Sequence, residues 1–311
     1  MNLKELLEAA RTAPGDAHFY DHNDNYRGTV PRSSAVRGVI DLKGSQLDKL
    51  TTADGLHYRL PLATPAVEHS KIEASIIRQS LVAQAGAEVI VFKDPTTAIS
   101  TGRLGDVAMQ SIPSYFTTVE AAPFALVADG ANVTVTPLPI TRASIHMDGA
   151  GGLETNTGVY GLRFEFSRDT LKAYPSIEAS IMHALIAGLA RTADAVLLTA
   201  IVAATPAAFS LAAAAAAGVR MSELRSLVGT AARGAAIDQN GVLRAAGIQA
   251  ELTPDMAATI VGTFARSAIM IRSDVDVIAA RTNLDGSLAV TAWAAFQPLL
   301  PDTSRFWTVT A

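Results

Sequence analysis

The feature that most constrains this chain is one long helical stripe. Ile177, Ile181, Leu185 and Leu189 recur every four residues, and Met182, Ile186, Val196 and Leu197 widen the stripe into a face. Pro175 stands where a first-turn proline is tolerated. The spacing predicts a single helix from there to about Ala203, roughly 40 Å long at about 1.5 Å per residue. Gly188 interrupts the stripe and is read as a close-packing position.

Strand patterns surround the stripe. Ala87 to Phe92 is nearly all apolar and β-branched, a buried strand that follows a helix predicted over 66–86 with Gly86 as its stop. After the stripe, Pro206 and the six alanines of 212–217 read as a flexible connection, and a second helix is expected from Ser222, a good N-cap, to near Gly234. Short strands then follow at 242–252, 258–261, 268–271, 275–278, 288–293 and 305–309, with Asp285-Gly286 marking a hairpin turn. The expected class is α+β.

Two stretches do not fit a solitary compact domain. Residues 2–11 carry Leu3, Leu6 and Leu7 on one helical face, but from Pro14 to about Thr64 the chain is polar with few periodic apolar positions. That is too long for an ordinary loop, so it is either disordered or an arm lying on a neighbouring subunit. Between 124 and 166, Val133 and Val135 alternate with polar residues. Leu162, Phe164 and Phe166 alternate on the returning side, and Asp148-Gly-Ala-Gly-Gly152 lies at the expected tip. A two-stranded excursion of this kind is marginal alone in water and needs a partner surface.

Composition agrees. Charged residues make up 17% against a usual share of roughly 25%, while hydrophobic residues reach 49%. A surface so poor in charge is one covered by other protein. The net charge of −4 argues against charge-driven nucleic-acid binding. With no cysteine there is no disulfide framework, thiol nucleophile or thiolate metal site. The charged start lacks a signal-peptide apolar run. Residues 195–219 are uncharged and long enough to cross a bilayer, but Pro206, Thr199, Thr205 and Ser210 favour a buried helix end and a connection instead.

Motifs that carry chemistry are scarce. No phosphate-binding Gly-Lys-Ser/Thr run exists, and Gly149-Ala-Gly-Gly152 is Gly-rich without a flanking strand and helix. No Gly-x-Ser-x-Gly elbow is present. His18, His22 and Asp24 combine imidazole and carboxylate, yet sit in the polar arm without a second ligand cluster. His146 and His183 are read as structural. Asn132-Val-Thr134 fits a glycosylation sequon that has no meaning in a bacterial cytosol. No catalytic, cofactor or metal residue is assigned.

Several segments, in order, resemble the Hong Kong 97-type major capsid family, which tailed bacteriophages share with encapsulins. Ser80-Leu-Val-Ala-Gln-Ala-Gly-Ala-Glu-Val-Ile90 is similar to the family's opening of the peripheral domain. Phe124-Ala-Leu-Val-Ala-Asp-Gly-Ala131 resembles a Trp-Val-x-Glu-Gly-Ala stretch, with Phe124 and Asp129 in place of Trp and Glu. Phe164-Glu-Phe-Ser-Arg-Asp-Thr-Leu171 resembles the lead into the spine helix, and Ala190-Arg-Thr-Ala-Asp-Ala-Val-Leu-Leu198 its end, with Thr199-Ala200 replacing a glycine-rich sequel. Ala246-Gly-Ile248, Met256 and Ile260-Val-Gly-Thr-Phe264 are similar to a later motif, from which Gln249 and Thr263 depart. The matches span roughly residues 80–280.

The resemblance implies a Hong Kong 97-like capsid fold: an N-terminal helix and arm (1–79), a first peripheral part (80–125), an extended loop (126–162), a peripheral domain with spine helix (163–205), an axial domain (206–261) and strands returning to both (262–311). It implies a major capsid protein that self-assembles as pentamers and hexamers into an icosahedral shell, enclosing double-stranded DNA without sequence-specific binding. That shell belongs to a virion assembled in a bacterial cytoplasm. Scaffolding, decoration and portal proteins are implied partners; a membrane and cofactors are not. The extended-loop tip, Met147, Asp148, Gly149, Ala150, Gly151 and Gly152, is the expected intersubunit contact. Some relatives weld subunits through a lysine on this loop; none lies between Val127 and Phe166, so no such cross-link is expected. No large N-terminal cleavage is expected either. An encapsulin-type shell around enzyme cargo is the alternative, and an unrelated soluble enzyme the remote one.

Overall fold

The computed structural model describes residues 17–20, 26–30, 70–93, 96–100, 107–111, 114–129, 131–145, 158–174, 177–281 and 287–310. The chain divides into two compact units, residues 1–58 and 59–311. In the first, β1 (Ala17–Tyr20) pairs antiparallel with β2 (Tyr26–Val30), so part of the polar stretch forms a hairpin. The expected helix over 2–11 lies outside the described residues.

The second unit is α+β. It opens with α1 (Lys71–Gln79), started by a capping box in which the Ser70 hydroxyl accepts from the Glu73 N–H and the Glu73 carboxylate accepts from the Ser70 N–H. The helix expected to run on to residue 86 breaks at Ser80, and α2 (Leu81–Gln84) begins anew. The cause lies over a hundred residues away. Asp194, 2% exposed on the long helix, accepts hydrogen bonds from the Ser80 hydroxyl (2.5 Å), the Leu81 N–H (2.9 Å) and the Val82 N–H (3.1 Å). A carboxylate that takes three donors at the start of a turn sets a helix N-terminus there. Gly86 then ends the segment at φ +110°, as its position predicts, and β3 (Glu88–Phe92) follows.

Next come two antiparallel hairpins, β4 (Thr96–Ser100) with β5 (Val107–Ser111) and β6 (Ser114–Val119) with β7 (Ile140–Ile145). Then β8 (Gly158–Phe166), the short α3 (Arg168–Ala173) and the long α4 (Ile177–Ala203) appear in order. The sequence stripe is only partly the core face. Ile177, Ile181, Leu185 and Leu189 are half-buried; Ala190, Ala193, Val196, Leu197, Leu198 and Ile201 are fully so. Small alanines let the C-terminal half of the helix approach the sheet closely, while the N-terminal half runs beyond that contact. By length and composition α4 could cross a bilayer, but its C-terminal half is core and carries the hydrogen-bonded Asp194.

The alanine run is not a loose connection: it forms α5 (Leu211–Ala216), capped by the Ser210 hydroxyl on the Ala213 N–H. The helix expected over 222–234 is likewise absent. Its place is taken by a 3-10 turn (Met221–Glu223) and β9 (Arg225–Val228), whose last three residues are all buried. After β9 the chain is zipped to residues 256–258 through Gly229, Thr230 and Ala231 N–H groups. A Cβ on Gly229 would lie 2.4 Å from the Ala258 carbonyl oxygen, so only glycine allows this approach.

The remaining strands are β10 (Ala235–Ile237), β11 (Leu243–Ala245), β12 (Ile248–Leu252), β13 (Thr259–Gly262), β14 (Ala268–Arg272), β15 (Asp276–Ala280), β16 (Leu288–Leu299) and β17 (Phe306–Thr308). One sheet runs β10-β11-β12-β9-β13-β17, with β12 and β9 parallel. The other is centred on β16, which pairs with β8 on one side and with β14 and β15 on the other; β3 lies parallel to β14. Alternation along β14 divides its neighbours. Ile269 and Ile271 join the α4 core, whereas Ala268 and Met270 pack with Phe116 and Ile145 of the β6–β7 hairpin.

Two stability predictions follow from these contacts. Asp194→Ala strands two buried donors and one half-buried donor and is expected to cost about 3 kcal/mol in chemical denaturation, against about 1 kcal/mol for Ser80→Ala. Burial pushes the Asp194 carboxyl up, outweighing its hydrogen bonds to Ser80, Leu81 and Val82, and Asp255 adds to the rise. The native state therefore holds this proton more tightly than the unfolded chain. That contribution is full below the ordinary aspartate range and is lost as pH rises through the raised value. The stability of the wild type relative to Asp194→Asn should fall as pH rises through that window.

Candidate assembly surface

The β6–β7 ladder runs from Ser114 opposite Ile145 to Val119 opposite Ile140. The Thr118 and Thr141 hydroxyls meet across it at 2.7 Å, and the Arg142 guanidinium lies 4.8 Å over the Tyr115 ring. One further bond, from the Glu120 N–H to the Pro139 carbonyl at 2.9 Å, closes the neck. There the ladder stops, because Pro137 and Pro139 have no N–H to donate.

Charge pins the neck to the body of the unit. The Glu120 carboxylate sits between two guanidiniums, with Arg266 on one oxygen and Arg305 Nη2 3.3 Å from the other. Arg305 Nε also reaches Asp302 at 3.2 Å. Arg266 ends the 3-10 turn after β13 and Arg305 the one before β17, so one carboxylate ties the neck to the turns beside the β13–β17 edge of the six-stranded sheet. Burial, then the neighbouring Arg305, hold Arg266 below the usual arginine range. Burial pushes Asp302 up, but hydrogen bonds from Ser304 and Arg305 outweigh it and leave the carboxyl below its usual range. Two cations balance two anions in a largely shielded place, where an unpaired charge is costly.

Beyond this root, residues 121–129 and 131–138 form no helix or strand, and every one of them is exposed. Phe124 and Leu126 touch almost nothing, and Val133 and Val135 are 75% and 92% exposed. From Ala121 to Pro139 the only charge is Asp129. Leaving a side chain such as Leu or Phe in water forgoes roughly 1.5–3 kcal/mol. Six large apolar residues here (Phe124, Leu126, Val127, Val133, Val135 and Leu138) are exposed together on a firmly anchored loop. Exposed apolar patches of this kind mark interaction sites, for protein, membrane or ligand.

This geometry corrects the sequence reading of the excursion. Val133 and Val135 do not form a strand paired with the 162–166 segment; β8 pairs with β16, and the strand opposite β7 is β6. The glycine-rich tip, Met147–Gly152, lies outside the described residues, as do His22, Asp24 and His146. His183 lies exposed on α4. Among the described residues, no group of three His, Asp or Glu side chains could hold a metal. Glu120, Arg266 and Arg305 had no local signal, being joined only by the tertiary fold. The charge-poor, proline-rich run 121–139, with Asp129 alone charged, was the available clue to the exposed loop.

No protein-family model and no curated protein matches the chain. Among solved structures, it is similar to the capsid of an empty GTA particle, at 13% identity over 80% of this chain and 94% of that one, with a TM-score of 0.46. It is also similar to the mature capsid of bacteriophage PhiM1, at 9% identity over 81% and 91%, TM-score 0.44. A third likeness is to the satellite phage P4 procapsid that includes the size determination (Sid) protein, at 9% identity over 76% and 96%, TM-score 0.41.

Glu120→Gln removes the anion between two cations and should loosen the neck. Hydrogen exchange across 114–120 and 139–145 is expected to lose about 2 kcal/mol of protection. Exchange in β12 and β9 should not change. Equal loss in both regions would mean that the pair supports the whole fold rather than the neck.

Proposed function

We propose that this chain is the major capsid protein of a tailed bacteriophage, a shell subunit with the Hong Kong 97-like arrangement. The observation that carries the reading is the anchored apolar loop at 121–139, with Asp129 as its single charge and residues 121–129 and 131–138 exposed, a surface without purpose in a solitary monomer. The ordered sequence resemblances across residues 80–280 supply the family. The long α4 against the β16-centred sheet suits a peripheral domain with its spine helix. The β9–β13 sheet suits an axial domain over 206–261, with β17 returning to it.

On this reading the function is mechanical. Many copies form pentamers and hexamers and close into an icosahedral shell around DNA. The low charge follows from burial between subunits, and a net charge of −4 suits a wall that confines DNA without gripping it. The loop at 121–139, the polar arm and the extended-loop tip at 147–152 are the parts assigned to neighbours. Scaffolding, decoration and portal proteins would meet the finished shell.

Replacing Phe124 and Leu126 together by Asp tests this reading, because neither side chain supports the fold. The double variant is expected to keep its circular dichroism and melting temperature but to yield at least tenfold fewer particles in a sedimentation gradient. Particle yield equal to the wild type would contradict the assignment of this loop to assembly.

A further inference from the structure

Sheets that end in open strands invite pairing by another chain, and natural proteins guard such edges with charge, proline or brevity. The β16-centred sheet has three edge strands among the described residues, β3, β8 and β15, and they differ: β3 is buried or half-buried along its whole length. On β8 the edge is guarded, since Arg163 and Glu165 project from it and pair with each other at 2.5 Å. On β15 it is not. Asp276 is the only charge, and Val277, Ile278, Ala279 and Ala280 continue without lysine or proline. Val277 and Ile278, which point to opposite faces of the strand, are 52% and 57% exposed. Both faces and the outer edge of β15 therefore stand open. By contrast β10, which ends the other sheet, offers only three residues.

The same molecule carries the complement. Asn132-Val-Thr-Val-Thr136 has the alternation and β-branching of a strand. Its N–H groups make no backbone hydrogen bond among the described residues. It is uncharged and anchored through Glu120 at its root. An unguarded edge and a strand-patterned segment without a partner satisfy each other's backbone groups, and Val133 and Val135 would meet the valine and isoleucine of β15. Within one copy they do not pair: β15 pairs with β16 alone among the described strands. We propose that residues 132–136 of one copy add as an extra strand to the open edge of β15 in a second copy, a β-augmentation that joins subunits. This deepens the shell reading and rests on it.

The absence of cysteine makes the test direct. Thr134→Cys is combined in turn with Val277→Cys, Ile278→Cys and Ala279→Cys, and purified particles are treated with copper phenanthroline. Facing residues on paired strands bring Cα atoms to about 4.5–5.5 Å, within disulfide reach. At least one double variant is expected to give a ladder of covalent multimers on a non-reducing gel, tenfold above either of its single variants. Particles that assemble normally but show no ladder in any of the three overturn the strand pairing and leave the shell reading standing. A wild-type chain that remains a small soluble oligomer overturns the shell reading and the pairing with it.

Discussion

Apolar surface must leave water, and in this chain a single copy leaves part of it exposed. The core of the second unit is well filled: α4, the β16-centred sheet and the α1–α2 segment bury a continuous cluster that includes Leu197, Leu198, Ile269 and Phe296. The loop at 121–139 is the opposite. Phe124, Leu126, Val133 and Val135 stand in water, yet the loop is not a loose end. Glu120, wedged between Arg266 and Arg305, anchors it. A rigid root with an uncovered apolar tip is what a subunit needs to present adhesive surface at a fixed place without collapsing onto itself.

A second buried carboxylate governs the core in the same manner. Asp194 takes the Ser80 hydroxyl and the Leu81 and Val82 N–H groups, breaking one expected helix into two and docking the break against α4. Both carboxylates act at long range in the sequence and at close range in space. Each converts a flexible junction into a defined one, and each would be costly to leave unpaired. Polar contacts at their margins thereby hold the sheets in place, while the cluster between them is built mainly from apolar side chains.

Much of this was legible in the residues. Periodicity placed α4 within two residues at its start, and β-branched runs located β3, β13, β14 and β16, because buried strands and long helices carry strong local patterns. Two kinds of feature escaped. Leu224 to Val228 read as helical, yet strand pairing on both sides of β9 and the zipper to residues 256–258 overrode local preference. Val133 and Val135 alternate as a strand should, but Pro137 and Pro139 cut them off from the ladder that β7 forms. The candidate surface was legible as an anomaly, a long excursion that a solitary domain cannot pack, and not as a geometry. Its root joins residues 120, 266 and 305, and no local pattern links positions so far apart.

On the proposed function the chain builds a closed shell around DNA. Electron microscopy of particles purified from producing cells, with nuclease-protected nucleic acid measured on the same fractions, addresses it most directly. The account predicts icosahedral shells of this single chain arranged as pentamers and hexamers, with double-stranded DNA inside the filled ones. Shells packed with protein cargo in place of DNA would contradict the viral assignment, and a monodisperse small oligomer would contradict the shell itself.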